Sequence, residues 1–279
     1  MTTVVLESPD GVLCEIIPER GGLVTRFRSG EDEVLFMDEA TLEDRTKNVR
    51  GGIPVLFPMG GKLPNDTYMA RGRTLSMSQH GFGRRLPWEL IERGSDGHHA
   101  WLLCRLSSTA ETLSAFPWKF ALTLRYALEG RRLTLDARIE NRDSEPMPHA
   151  LGFHPYFRVL DGEKGQSGVR TDAKLALDNT TREQIQVRKL DFTVKELDLH
   201  LIGHSTPGTT LRRGNLPRIT LEWSPAFTTL VLWTLAGRDF ICVEPWETRA
   251  GALASREHPP ILAPGQSLDL VFSISAAER

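Results

Sequence analysis

A large antiparallel β-sandwich is the fold class this 279-residue chain predicts, and three observations predict it. Period-two alternation of apolar and polar residues dominates the chain. Turn-forming residues, 24 Gly and 17 Pro, cut it into many short pieces. Strands alternating with amphipathic helices, the mark of an α/β fold, are missing. All-β folds often run past about 200 residues as one unit. With no internal repeat and no low-complexity linker, residues 1–279 read as one domain.

The elements follow in order. Val12–Ile17 and Leu23–Arg28 are the first expected strands, and Asp38–Asn48 carries the best helical period for a short helix. Trp101–Ser107 is the next strand. Lys119–Glu129 alternates Phe120, Leu122, Leu124 and Tyr126 with polar neighbours, and Arg131–Asn141 does the same with Leu133, Leu135, Ala137 and Ile139. Gly130 between them can take positive φ, so the pair reads as a hairpin. Asp161–Thr171 reads as a surface loop. Arg218–Trp223, Thr228–Leu235, Phe240–Glu244 and Ser267–Ser275 complete the strands.

Charge and cysteines bound the partners. Lys plus Arg number 34 and Asp plus Glu 36, a net −2 that argues against a nucleic-acid coat or an anionic-membrane binder. The longest uncharged apolar run, around Ala226–Ala236, falls short of the ~20 residues that span a bilayer. Residues 1–10 carry Glu7, Pro9 and Asp10 and lack the basic-then-apolar order of a signal peptide. Cys14, Cys104 and Cys242 are scattered without metal-ligand spacing, as expected of reduced thiols in a cytoplasmic protein. Nothing in the sequence indicates an oligomeric state.

Four segments carry more than strands and turns need. Arg50-Gly51-Gly52-Ile53-Pro54-Val55-Leu56-Phe57-Pro58, followed by Gly60-Gly61-Lys62, holds backbone in restricted shapes, but its order is not that of a phosphate-binding P-loop. Gln79-His80-Gly81-Phe82-Gly83-Arg84-Arg85-Leu86-Pro87-Trp88 gathers an amide, an imidazole, guanidiniums and aromatic rings, a mixture suited to sugar hydroxyls and ring faces. Leu151-Gly152-Phe153-His154-Pro155-Tyr156-Phe157 places a histidine before proline, in extended or turn backbone that can aim the ring into a cleft. In Ile241-Cys242-Val243-Glu244-Pro245-Trp246-Glu247, Glu244 ends an apolar strand, where desolvation raises a carboxylate's pKa. Each segment taken alone also has a structural reading as a rigid loop, a core histidine or a strand-end charge.

Together, in this order, the RGGIPVLFP, QHGFGR, HPYF and VEPW runs resemble the aldose 1-epimerases, or mutarotases, over about Arg50 to Glu247. The hexose-6-phosphate mutarotase-like and LacX-like branches are the nearest in pattern. The resemblance implies a many-stranded β-supersandwich, and because the anomer exchange expected of it moves no hydride or phosphoryl group, no cofactor and no metal is expected. It implies that His154 is the general acid on the ring oxygen and Glu244 the general base on the anomeric hydroxyl. It places His80, Arg50, Gln79 and Arg84 on the substrate, and Asp198, with Asp178 as the alternative, on sugar hydroxyls. Met59-Gly60-Gly61 and Gly83 depart from the sugar-phosphate branch, while the Leu63–Ser78 insertion resembles the LacX-like one, so the choice of sugar stays open.

The expected reaction is interconversion of the α and β anomers of a hexose or hexose 6-phosphate by ring opening and closure. A glutamate beside His154 is expected to favour its imidazolium form. From Arg50 to Arg85 six basic residues stand against Asp66 alone, a local +5 that suits a small anionic sugar, with Arg71 and Arg73 read as a solvated face. Two rivals share the fold. One is a non-catalytic carbohydrate- or sugar-phosphate-binding protein with Trp88, Trp233 and Trp246 as platforms. The other is a glycosidase, which wants a second carboxylate, with Glu247 the spare candidate.

Overall fold

The computed structural model describes residues 1–255 and 259–277. Strands make up 49% and helix 9%, the antiparallel all-β architecture expected. One eight-stranded sheet runs in the spatial order Gly168–Val169, Gly208–Arg213, Leu216–Trp223, Ser267–Ala276, Arg132–Asn141, Phe120–Glu129, His99–Ser107, Glu89–Ser95. The second runs Glu183–Gln186, Leu175–Asp178, Glu196–Ile202, Thr229–Leu235, Phe240–Trp246, Gly152–Phe153, Val55–Leu56, with Tyr156–Arg158 also paired to Phe240–Trp246. A smaller sheet of Val4–Glu7, Val12–Ile17, Leu23–Ser29 and Asp32–Glu33 lies at the N-terminal end of the chain.

Alternation explains the packing. In the hairpin Phe120–Glu129 with Arg132–Asn141, Leu122 pairs with Ile139, Leu124 with Ala137 and Tyr126 with Leu135, all buried on one face. Gly130 turns the chain at φ 51°. The inner faces of the two large sheets share one core. Phe153 of the second sheet stacks on Phe272 of the first, ring centroids 5.2 Å apart. All three cysteines are free and buried, as the sequence indicated.

Some expectations need correction. The helix expected over Asp38–Asn48 covers only Glu39–Glu43, capped where the Thr41 N–H donates to the Asp38 carboxylate. Beyond it, buried Arg20 donates to the carbonyls of Asp44 and Lys47, so a tertiary contact holds that stretch as a loop. The Asp161–Thr171 loop contains a 3₁₀ turn, Asp161–Gln166, pinned by buried Lys164, which donates to Asp161 and to the Leu235 carbonyl. Strand Glu89–Ser95 escaped the sequence reading because it lies on a sheet edge, exposed along most of its length, with no buried face to write an alternation.

Candidate active site

The four unusual segments assemble at the edge of the second sheet. Val55–Leu56 pairs with Gly152–Phe153, and Gly152 in turn pairs with Trp246. The His154 N–H donates to the Pro54 carbonyl and the Tyr156 N–H to the Gly52 carbonyl, so the first segment flanks the third. The Phe82 and Gly83 amides both donate to the Phe57 carbonyl, docking the second segment on the first. Gly81 must be glycine here. Its φ is +69°, and an added Cβ would lie 2.2 Å from the Phe57 carbonyl oxygen.

Register brings the two central residues together. Gly152 opposes Trp246 and Tyr156 opposes Cys242, so His154 falls midway, opposite Glu244. Along Phe240–Trp246, Ile241 and Val243 point into the inter-sheet core, while Glu244 and Trp246 face a cleft of about 310 Å³. His154 Nε2 lies 3.4 Å from Glu244 Oε1, and both side chains are buried. The Trp246 indole N–H donates to Glu244 Oε2 at 3.1 Å. Tyr156 stacks on the His154 imidazole, centroids 4.7 Å apart and planes 10° from parallel, which fixes the ring's plane.

All seven residues selected from sequence, His154, Glu244, His80, Arg50, Gln79, Arg84 and Asp198, line this cleft. His80 sits at φ 66°, and its Nδ1 accepts from the Gly61 N–H at 3.0 Å. That bond leaves Nε2 as the protonated nitrogen of a neutral ring, hence a donor. Arg84 donates to the Gln79 carbonyl at 3.0 Å. Asp198 accepts from Asn179 Nδ2 at 2.7 Å on one oxygen, and its other oxygen lies 3.4 Å from His200 Nε2. Asp178 instead caps the turn after its own strand, accepting from Thr180, and stands outside the cleft lining.

Burial sets the protonation states. Glu244 is pushed well above the ordinary carboxylate range, first by burial and then by the Asp198 charge. His154 is pushed down to about 3, by burial and then by the Arg84 guanidinium. Imidazolium is therefore not the favoured form in the cleft, contrary to the sequence expectation: desolvation and the Arg84 charge lower the ring more than its surroundings raise it. His80 is held well below its usual range by burial and Arg84, in keeping with its neutral tautomer. Burial lowers Arg84 to about 10. For Asp198 burial acts upward, but the bonds from His200 and Asn179 outweigh it and leave the carboxyl lowered. The two shifts favour the neutral pair, with the proton on Glu244 rather than on His154, and a transfer across 3.4 Å would give the charged pair.

The remaining residues singled out from sequence lie elsewhere in part. Trp233 and Trp246 line the cleft, but Trp88 is buried outside it, donating to the Gly83 carbonyl. Glu247 is buried 3.5 Å from His149 and accepts from the Leu151 N–H, so it is no second carboxylate of this cleft. Of the six basic residues in the +5 stretch, Arg50, Lys62 and Arg84 reach the cleft. Arg71 pairs with Asp143 and lies over Trp118, while Arg73 is exposed. Sequence reasoning missed Asn179, Arg182 and His200. His200 was within reach, since it stands two residues after Asp198 on the same face of a strand. Asn179 and Arg182 sit in a turn that writes no signal.

The profile of the family described as aldose 1-epimerase matches residues 2–275. The chain belongs to the aldose 1-epimerase family. Membership makes it an isomerase of the epimerase type acting on sugars. The protein LacX of Lactococcus lactis subsp. lactis is 25% identical over 256 residues, covering 82% of this chain and 83% of its own. A protein of Cenchrus ciliaris provisionally named glucose-6-phosphate 1-epimerase is 26% identical over 250 residues, covering 86% of this chain and 69% of its own. Among solved structures, the Slr1438 protein of Synechocystis sp. PCC 6803 superposes with TM-score 0.95 at 36% identity, over 100% of this chain and 96% of its own. Among the described residues, no helix is long and apolar enough to cross a membrane.

Proposed function

We propose that the protein interconverts the α and β anomers of a hexose or hexose 6-phosphate. The carrying observation is the buried Glu244–His154 pair, 3.4 Å apart at the floor of a cleft that offers polar groups on every side. A hemiacetal presents two oxygens on one carbon, and two adjacent proton carriers match them. With the shared proton on His154, Glu244 takes the proton of the anomeric hydroxyl as His154 Nε2 protonates the ring oxygen. The C1–ring-oxygen bond breaks and the free aldehyde forms. At that point Glu244 is a neutral acid and His154 a neutral base, the distribution that burial already favours, so the buried pair supports ring opening. Rotation about C1–C2 turns the other carbonyl face, and the same transfers in reverse close the ring. His80 Nε2–H serves as a donor on the ring-oxygen side, while Asp198, held by Asn179 and His200, accepts from sugar hydroxyls.

A 6-phosphate is supported by cations at the cleft. Arg50, Lys62, Arg84 and Arg182 all line it. Arg50 has no carboxylate partner among the described residues, which leaves its fork available to phosphate oxygens.

The test is acceleration of anomer exchange, read by NMR on glucose and glucose 6-phosphate. Glu244→Gln and His154→Asn should each lose on the order of 10²–10⁴-fold while circular dichroism stays native. Wild-type rates in either variant would falsify the pairing. Arg84→Ala should cost more on the phosphorylated sugar, and equal losses on both substrates would remove phosphate recognition from that residue.

A further inference from the structure

We infer that the cleft floor holds a second, mutually exclusive ligand site: a thiophilic divalent cation, zinc by type, bound by His154, Glu244 and Cys242, which inhibits the enzyme. The ligand atoms of these three buried residues all lie within 4.8 Å of one another. The strand Phe240–Trp246 supplies two of them. Cys242 and Glu244 are two residues apart, so the pleat puts both on the face turned away from the inter-sheet core. Cys242 itself packs against Tyr156 and Phe240, beneath the cleft lining.

The geometry suits a small tetrahedral ion. Zinc bonds of about 2.0–2.2 Å to nitrogen and oxygen at tetrahedral angles need those two atoms about 3.4 Å apart. The His154–Glu244 separation is 3.4 Å as it stands. A sulfur ligand needs about 3.6 Å to its neighbours, so from a separation within 4.8 Å the Cys242 side chain closes by about 1.2 Å at most. Imidazole, carboxylate and thiolate form a donor set that selects zinc-like ions over magnesium or calcium. Two anionic ligands neutralise a dication, which lowers the penalty of burying it near Arg84. On binding, the Cys242 S–H bond breaks, a sulfur–metal bond forms and the proton leaves to solvent. Any proton on Glu244 follows it, and no oxidation state changes. Three protein ligands leave the fourth position to water. The chain spacing hid this site, because His154 comes from a different segment than Cys242 and Glu244.

Inhibition follows only if Glu244 and His154 are the proton carriers, so that half rests on the proposed function; metal binding itself does not. Cobalt(II) added to the metal-stripped protein should give a near-ultraviolet sulfur-to-cobalt charge-transfer band. That band should vanish in Cys242→Ser, in Cys242→Ala and in His154→Asn. Zinc chloride should inhibit anomer exchange competitively with sugar. In the Cys242 variants the metal-free rate should stay at wild type while the zinc concentration for half-inhibition rises at least ten-fold. Absence of the cobalt band in folded wild-type protein overturns the site. Equal zinc sensitivity in wild type and the Cys242 variants assigns the inhibition elsewhere and overturns it too. A cobalt band in a protein that fails to exchange anomers upholds the site and rejects the proposed function instead.

Discussion

Asp198 acts on Glu244 as well as on the sugar hydroxyls proposed for it. Its charge is the second cause, after burial, of the raised Glu244 carboxyl. Removing that charge lets Glu244 ionise at lower pH, so the pair loses its one proton at lower pH. In Asp198→Asn, with a chelator present, the alkaline limb of kcat/KM, where the pair gives up its one proton, should move to lower pH, while the plateau falls by roughly 10–10²-fold for the lost hydroxyl contact. An unmoved limb would disconnect the two carboxyls. Glu244 also carries a stability cost. Its folded pKa lies above the unfolded 4.5, so the fold loses stability as pH rises from there towards the folded value. Glu244→Gln removes that term and keeps an acceptor for the Trp246 N–H. The variant should melt higher than wild type at pH 8 by ~1 kcal/mol, roughly 2 °C, with the gap closing below the unfolded pKa. A variant that melts lower at pH 8 would show that the charge is well solvated.

At the scale of elements, the site depends on how closely four segments approach. A Cβ on Gly60 would meet the Trp246 ring at 2.6 Å, and that indole holds Glu244. Gly60→Ala should therefore cost activity, ~10-fold or more, through a displaced tryptophan. Gly81→Ala is a different case. It forces positive φ on alanine and a clash with the Phe57 carbonyl, so it should lose at least about 2 kcal/mol of stability by thermal melting. Melting at the wild-type temperature would contradict the docking of the second segment on the first. The hairpins and central strands were legible because one buried face writes a period-two pattern, as in Phe120–Glu129. The edge strand Glu89–Ser95 and the end of the short helix at Glu43 were not. Exposure erases the first pattern, and the Arg20 contacts end the second from a distance.

For the whole molecule, net charge conceals where charge sits. The chain totals −2, yet four basic side chains line one cleft. Only three of them come from the +5 stretch; Arg182 arrives from the far end of the second sheet. This cluster should attract an anionic sugar over short range only, since salt screens beyond about 8–10 Å. KM for glucose 6-phosphate should rise with added salt between low and physiological ionic strength, while KM for glucose stays flat. Parallel behaviour of both sugars would leave the cations without a substrate role.

The sequence by itself determined the antiparallel fold, through alternation, and the motif residues His80, Arg84, His154 and Glu244, through local combinations too unusual for turns and strands. Only the tertiary structure decided which groups share a proton and which accompany it. The register across Phe240–Trp246 sets His154 against Glu244, and the strand Glu196–Ile202 brings Asp198 and His200 into the same cleft. Protonation followed from burial, which no residue carries in its own name. A glutamate adjacent to histidine suggests an ion pair in water; in this desolvated floor the same two groups favour the neutral pair.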